Sequence, residues 1–189
     1  MNLEVSKELK LFISFLIIFA FFAHWLGWNE SSRLMLSRSI VEDKKIEIDR
    51  LANFTGDRSY YNGSYYSDKG PASSLLNTPT VWGWNKISDT FDLKENKTTT
   101  YVKPELTFGI VKQYNSLDLH TFGLRFLSII LMSSVLGSAL VVLVYKTLKL
   151  IEINYAYIVS IIFGLSTLMF TYSTMYFGSI MAAFFSFLS

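Results

Sequence analysis

The stretch FLSIILMSSVLGSALVVLVY, Phe126 to Tyr145, runs 20 residues without a charge. As an α-helix it is ~30 Å long, the thickness of a bilayer's hydrocarbon core. Ser133, Ser134, Gly137 and Ser138 put small residues on it at spacings near four. Such residues let helices approach closely in lipid, although Gly and Ser are also simply common in membrane helices. Upstream, LFISFLIIFAFFAHWLGW, Leu11 to Trp28, is another uncharged segment of 18 residues. Lys7 and Lys10 precede it, and Trp25 and Trp28 close it as interfacial aromatics do. A cleaved signal peptide would have a shorter apolar region and a small-x-small site. The bulky AHWLGWNESS end fits an uncleaved anchor better. Downstream, Tyr155 to Ser189 is 35 residues without a charge. A single helix of that length would be ~52 Å long, too long for a bilayer, so it must break. The polar cluster at Thr171, Tyr172, Ser173, Thr174 and Gly178 is the expected turn. A third span then covers Tyr155 to Tyr172, and a fourth begins near Met175.

The expected fold is an α-helical integral membrane protein. It has three full transmembrane helices and a partial fourth, with a large mixed extracytoplasmic loop after the first helix. The organisation is residues 1–28, tail and first helix; 29–121, loop; and 122–189, the later helices.

Composition agrees. The chain of 189 residues is 51% hydrophobic, 16% aromatic and only 17% charged, against about 25% charged in soluble domains. Twelve of 15 acidic and 12 of 17 basic residues lie between Asn29 and Thr121, so the remainder is nearly pure hydrocarbon. Global disorder is excluded by the apolar content. A net charge of +2 with no basic stripe sets nucleic acid aside. Without Cys there is no disulfide, thiolate metal site or cysteine nucleophile. Lys7 and Lys10, then Lys146 and Lys149, flank the spans on what should be the cytoplasmic side, which puts the loop outside. Long loops translocate regardless of their own charge.

Within the loop, NESSRLMLSRSIVED has Leu34, Ser37, Ile40 and Val41 at helical spacing. It reads as an amphipathic helix on the outer membrane surface, or as one packed on the loop's own core. Asn62-Gly63 between aromatic runs predicts a hairpin with strands Arg58–Tyr61 and Ser64–Ser67. Pro71 and Pro79 bracket a short SSLL segment. The rest is read as irregular, with weak strand patterns at Thr98–Val102 and Leu106–Val111. Sequons at Asn29, Asn53, Asn62 and Asn96 all fall in this loop.

Few residues suggest chemistry. Glu30 is the first carboxylate after the first span, where partial desolvation can make a base. Its plainer role is a solvated Glu at a helix N-terminus. Arg33, three residues on, can pair with it or hold a phosphate. Asp57, Asp68 and Lys69 sit around the hairpin, and position alone favours reading them as solvated turn residues. His24 and His120 are single and lack ligand partners at useful spacing. No phosphate loop, nucleophile triad or metal cluster is visible.

The stretch NESSRLMLSRSIVE, followed by IDRLANFTGDRSYYNGSYYSDKGP, resembles the first outer loop of prokaryotic multi-span glycosyltransferases. This group is related to the protein mannosyltransferases and the lipid A aminoarabinose transferases. The order of one span, a long outer loop with membrane-surface helices, and then many spans is similar too. So is the closing YSTMYFGSIMAA, although Ser179 stands where such proteins often have His. The resemblance implies transfer of a sugar from a polyprenyl-phosphate donor to an extracytoplasmic acceptor. Glu30 would be the catalytic base, with Arg33 and Lys69 as candidate cations for the phosphate and Asp57 and Asp68 beside them. Members of this group have many more spans. The chain is therefore expected to be the N-terminal portion of such an enzyme, inactive alone, with a second polypeptide supplying the missing spans. The competing expectation is a small non-enzymatic membrane protein with an outer binding or assembly loop. Its partner common to both readings is the lipid bilayer; donor sugar, acceptor and cofactor are not legible.

Overall fold

A computed structural model describes residues 6–25, 27–93 and 119–189. The two weak strand patterns and the sequon at Asn96 lie outside these residues. The described chain is mostly helical.

Helix α1 spans Lys7–Phe21, opened by Ser6, whose hydroxyl accepts from the Leu9 amide at 3.2 Å. It has 15 residues, so the expected first span is longer than its helix. Ala23 to Trp25 are uncharged but not helical. The reason is a competing bond: the His24 amide donates to the Thr174 carbonyl at 3.0 Å, on a distant part of the chain. Helix α2 follows at Trp28–Arg38, then a π-turn at Ser39–Asp43 and a 3-10 segment at Asp49–Phe54. Strands β1, Arg58–Tyr61, and β2, Ser64–Ser67, form the antiparallel hairpin, with Tyr61 opposite Ser64. Asn62 and Gly63 both have positive φ, 47° and 88°, as a two-residue primed turn requires.

Helices α3, Ala72–Leu76, and α4, Thr78–Thr90, replace the irregular structure expected there. Pro79 read as a breaker, but it falls in the first turn of α4, where its missing amide has no helical partner anyway. Helix α5, Leu119–Ile129, continues through a π-turn at Ile130–Ser134 into α6, Val135–Leu150. Together they form one apolar helix of 32 residues, which contains the whole expected second span. The third expected span is broken. Helix α7 covers Ala156–Ser166, and Thr167 turns extended and caps α8, Leu168–Ser173. The turn at 174–177 lies where the polar cluster predicted, and α9 then runs Gly178–Leu188. Among the described residues, only the 119–150 helix is long and apolar enough by itself to cross a membrane; α7 and α9 have 11 residues each. Three full spans are thus not what the helices show.

Packing depends on small residues. A Cβ on Gly164 would strike the Phe15 ring, 2.6 Å from Cζ, and one on Gly137 would strike the Ser173 side chain and approach Phe19 to 3.3 Å. Helix α1 therefore lies against α6 and α7 with Phe15 and Phe19 filling the glycine notches. Helix α1 packs on α6, with Glu8 near its start in the electrostatic field of Lys146 and Lys149 near the end of α6. Ser133, Ser134, Ser138, Ser160 and Ser173 are all buried; the Ser134 hydroxyl donates to the Ser173 carbonyl at 2.9 Å, and Ser138 and Ser160 donate to carbonyls one turn back. Ile13, Ile17, Leu131, Ile158, Ile162 and Phe185 are exposed on the outside.

Burial also decides between the two readings of α2. Glu30, Ser31, Ser32, Leu34, Met35, Leu36, Ser37 and Arg38 are all buried. The helix is packed within the loop's own core, on the 3-10 segment, β2, α3 and α4.

Candidate functional site

Helix α2 begins at Gly27, whose amide donates to Glu30 Oε2 at 2.9 Å. This is the N3 half of a capping pair, a carboxylate reaching back over the first turn. Gly27 has no side chain to return the bond. Glu30 is 1% exposed, so it is not the solvated residue that position alone suggested. Its charge lies at the helix end where the backbone dipoles favour an anion.

The next segment is fixed onto this turn. Thr55 donates its hydroxyl to the Trp28 carbonyl at 2.9 Å and accepts from the Asp57 amide at 3.1 Å. Gly56 lies under the Trp28 indole, where a Cβ would come within 2.6 Å of Cδ2. The TGD triplet therefore needs its glycine for close approach, and the contact sets where Asp57 emerges. Lys69 Nζ then pairs with Asp57 Oδ2 at 2.9 Å and Asp68 Oδ1 at 3.3 Å. The hydrogen bond to Asp57 lifts the ammonium above its ordinary range, against a small opposing effect of burial, with Asp68 adding to the rise.

Arg33 is one turn along α2 from Glu30. Its Nε donates to Ser73 Oγ at 3.1 Å, and Nη1 donates to the Asn29 carbonyl at 3.2 Å and to the Asn29 side-chain oxygen. The guanidinium stands 5.8 Å from the Phe177 ring centre. A Cβ on Gly178 would be 3.6 Å from Nη2, an ordinary van der Waals contact at the start of α9. Burial lowers the guanidinium from its ordinary value; Tyr176 and the carboxylates of Asp68, Asp57 and Glu30 oppose that. Glu30, Arg33, Asp57, Asp68 and Lys69 thus share one neighbourhood, Arg33 at its middle and the Asp57–Lys69–Asp68 cluster at its wetter edge.

Sequence reasoning missed the other side of this neighbourhood. Tyr176 is fully buried, and its hydroxyl donates to the Ser73 carbonyl at 2.9 Å. Ser37 donates to the Ser74 carbonyl at 2.9 Å, and Asn77 donates to Ser128 Oγ at 3.0 Å. These bonds tie α2, α3, α5 and the 174–177 turn together. The available signal was the uncharged but polar YSTMYFGS run, more polar than a span needs. His24 and His120 stand apart: His24 Nδ1 is 2.9 Å from the Phe22 carbonyl, and the His120 ring lies near Trp84. No group of three His, Cys, Asp or Glu suited to a metal occurs among the described residues.

No family model, curated protein or solved structure matches this chain.

Proposed function

We propose that the chain is a membrane-embedded bundle, the N-terminal portion of a glycosyltransferase, which holds a polyprenyl-phosphate sugar at the outer end around Arg33. Three crossings are assigned to α1, the 119–150 helix and the α7–α8 pair, with α9 a partial fourth. The apolar outside of the bundle supports embedding. Ile13, Ile17, Leu131, Ile158, Ile162 and Phe185 are exposed, while Ser133, Ser134, Ser138, Ser160 and Ser173 are buried among the apolar core residues Phe15, Phe19 and Val141, as close packing in lipid allows. Charges on the long helix fit as well. From Arg125 to Lys146 is ~31 Å of helix, one hydrocarbon thickness. Lys7, Lys10, Lys146 and Lys149 gather at the opposite end from the loop, as cytoplasmic flanks do. A single Cys can test this, since the chain has none. A Cys at the exposed Tyr61 should react with an impermeant maleimide in intact cells, and one at the exposed Leu150 only after permeabilisation. The reverse pattern would overturn the orientation.

The observation that carries the transferase reading is the half-buried Arg33. A guanidinium at an apolar boundary, bonded through Nε and Nη1 and lying at the N-terminal end of α9, suits a lipid phosphate. Glu30, one turn away, has the place of a base for the acceptor hydroxyl. The acceptor oxygen would form its bond to the anomeric carbon as the lipid phosphate leaves, the acceptor proton passing to the carboxylate. The test is binding of an unglycosylated polyprenyl phosphate to the chain in nanodiscs. Arg33→Ala should weaken it about ten- to a hundredfold, the loss of one charge-assisted bond, and Lys86→Ala should leave it unchanged. Equal affinity for wild type and Arg33→Ala would end this assignment. One observation favours the second reading, a non-enzymatic membrane protein with an outer assembly loop: the Glu30 carboxylate already caps α2.

A further inference from the structure

An arginine side chain is long and flexible, and an anion site needs its guanidinium held in one orientation. Arg33 gets that hold from Ser73, which is buried at the start of α3. The Ser73 hydroxyl accepts from Arg33 Nε at 3.1 Å. The carbonyl of the same residue accepts from the Tyr176 hydroxyl at 2.9 Å. Ser73 therefore joins a half-buried cation at one end to a fully buried phenol at the other. Tyr176 lies 103 residues further along the chain, in the turn between α8 and α9. Its neighbour Phe177 has its ring centre 5.8 Å from the guanidinium carbon. Two consecutive residues of one turn thus hold Arg33, Tyr176 through Ser73 and Phe177 through its ring.

The ring of Tyr176 also faces the start of α2. Its centre lies 6.2 Å from that of Trp25. Trp25 donates its indole N–H to Ser31 Oγ at 3.1 Å, and Ser31 donates to the Gly27 carbonyl at 2.9 Å. Gly27 is the residue whose amide binds Glu30. Both charged groups on the first turns of α2 are thereby set from the same phenol. Burial of the ring alone would suit a Phe equally well. The hydroxyl adds direction, because its bond to the Ser73 carbonyl fixes α3 against the 174–177 turn.

We propose that Tyr176 and Ser73 are positioning residues of the anion site. Tyr176 fixes Ser73, and Ser73 fixes the Arg33 guanidinium with Nη2 toward the start of α9. Both act through Arg33 and leave the anion contact to it. The inference rests on the phosphate-binding reading above.

The probe is unglycosylated polyprenyl phosphate, and the protein is the full chain in nanodiscs. Tyr176→Phe removes one hydroxyl from a ring that stays buried. Ser73→Ala removes the acceptor for Nε but keeps the carbonyl for Tyr176, so it reports even where Tyr176→Phe folds poorly. Each should weaken binding about three- to tenfold, the effect of one lost hydrogen bond. In the Arg33→Ala background the same substitutions should change affinity by less than about twofold, because the group they act through is gone. A purely structural role gives equal factors in both backgrounds, and that additivity would overturn the proposal. Unchanged or tighter binding by Ser73→Ala in a chain that keeps Arg33 would overturn it as well. These results count against positioning alone as long as Arg33→Ala by itself weakens binding. Wild-type affinity in Arg33→Ala would instead remove the phosphate reading, and the positioning role with it.

Discussion

Glu30→Gln, in a chain supplied with the further spans that the resembling transferases carry, should lower turnover by about 10²–10⁴-fold, the usual contribution of a positioned base. The substitution is chosen because of the capping bond. Gln keeps an oxygen for the Gly27 amide, so the start of α2 should survive, with only the dipole contribution of about 0.3–1 kcal/mol lost. Affinity for the lipid-linked donor should change little, because the phosphate is assigned to Arg33. Measuring turnover and donor affinity separately therefore distinguishes the two residues. Turnover within about twofold of the parent, far below the range for a base, would make Glu30 purely a capping residue. The base would then have to be sought at Asp57 or Asp68, both in the field of Arg33.

Glu42→Gln should cost about 3 kcal/mol of stability at neutral pH, the low end of what breaking a buried ion pair costs. Arg38 is 4% exposed. Its Nε meets Glu42 Oε1 at 2.8 Å and its Nη2 meets Oε2 at 3.2 Å, a two-pronged contact just past the end of α2. Arg50 reaches the same carboxylate at 2.5 Å and Asp43 at 3.0 Å, tying the 3-10 segment to the π-turn. Burial would raise the Glu42 carboxyl, but the bonds and charges of Arg38 and Arg50 outweigh it and hold it below its ordinary 4.5. The sign follows. A carboxyl held down in the fold contributes stability above its unfolded value and loses it as pH falls through the lower folded one. Thermal unfolding in detergent should therefore show a wild-type advantage that is full above about pH 5 and shrinks below about pH 4. An advantage that does not change with acidification would show that packing, not the ion pairs, separates the two proteins.

The parts legible in the sequence were those governed by neighbours in the chain. Asn62-Gly63 predicted the hairpin and its strand ends because a two-residue primed turn demands positive φ twice. The uncharged run at 126–145 marked the long helix because length alone decides it. Where distant residues compete for backbone bonds, reading failed. Ala23 and His24 look like more of α1, yet the His24 amide goes to Thr174. On α2, helical spacing alone cannot name partners: Ser32 bonds Ser67 at 2.7 Å and Ser37 bonds the Ser74 carbonyl, each more than thirty residues away. The site residues were named individually from position and resemblance. Their gathering around Arg33 depends on Gly56 beneath Trp28, a contact no local pattern announces.

The π-turn at Ile130–Ser134 has a mechanical consequence. A wider turn holds one residue more than an α-turn, so it offsets the faces of the two helical halves by about 100°. On one side of it, Ser128 turns toward the loop and meets Asn77; on the other, Gly137 lies beside Phe19 of α1 and Val141 beside Gly164 of α7. The surplus residue works like the splined joint of a shaft: it lets one rod mesh with two differently aimed sets of teeth. Removing a single residue there would tighten the rod into a regular spiral and leave one of those sets facing the wrong way.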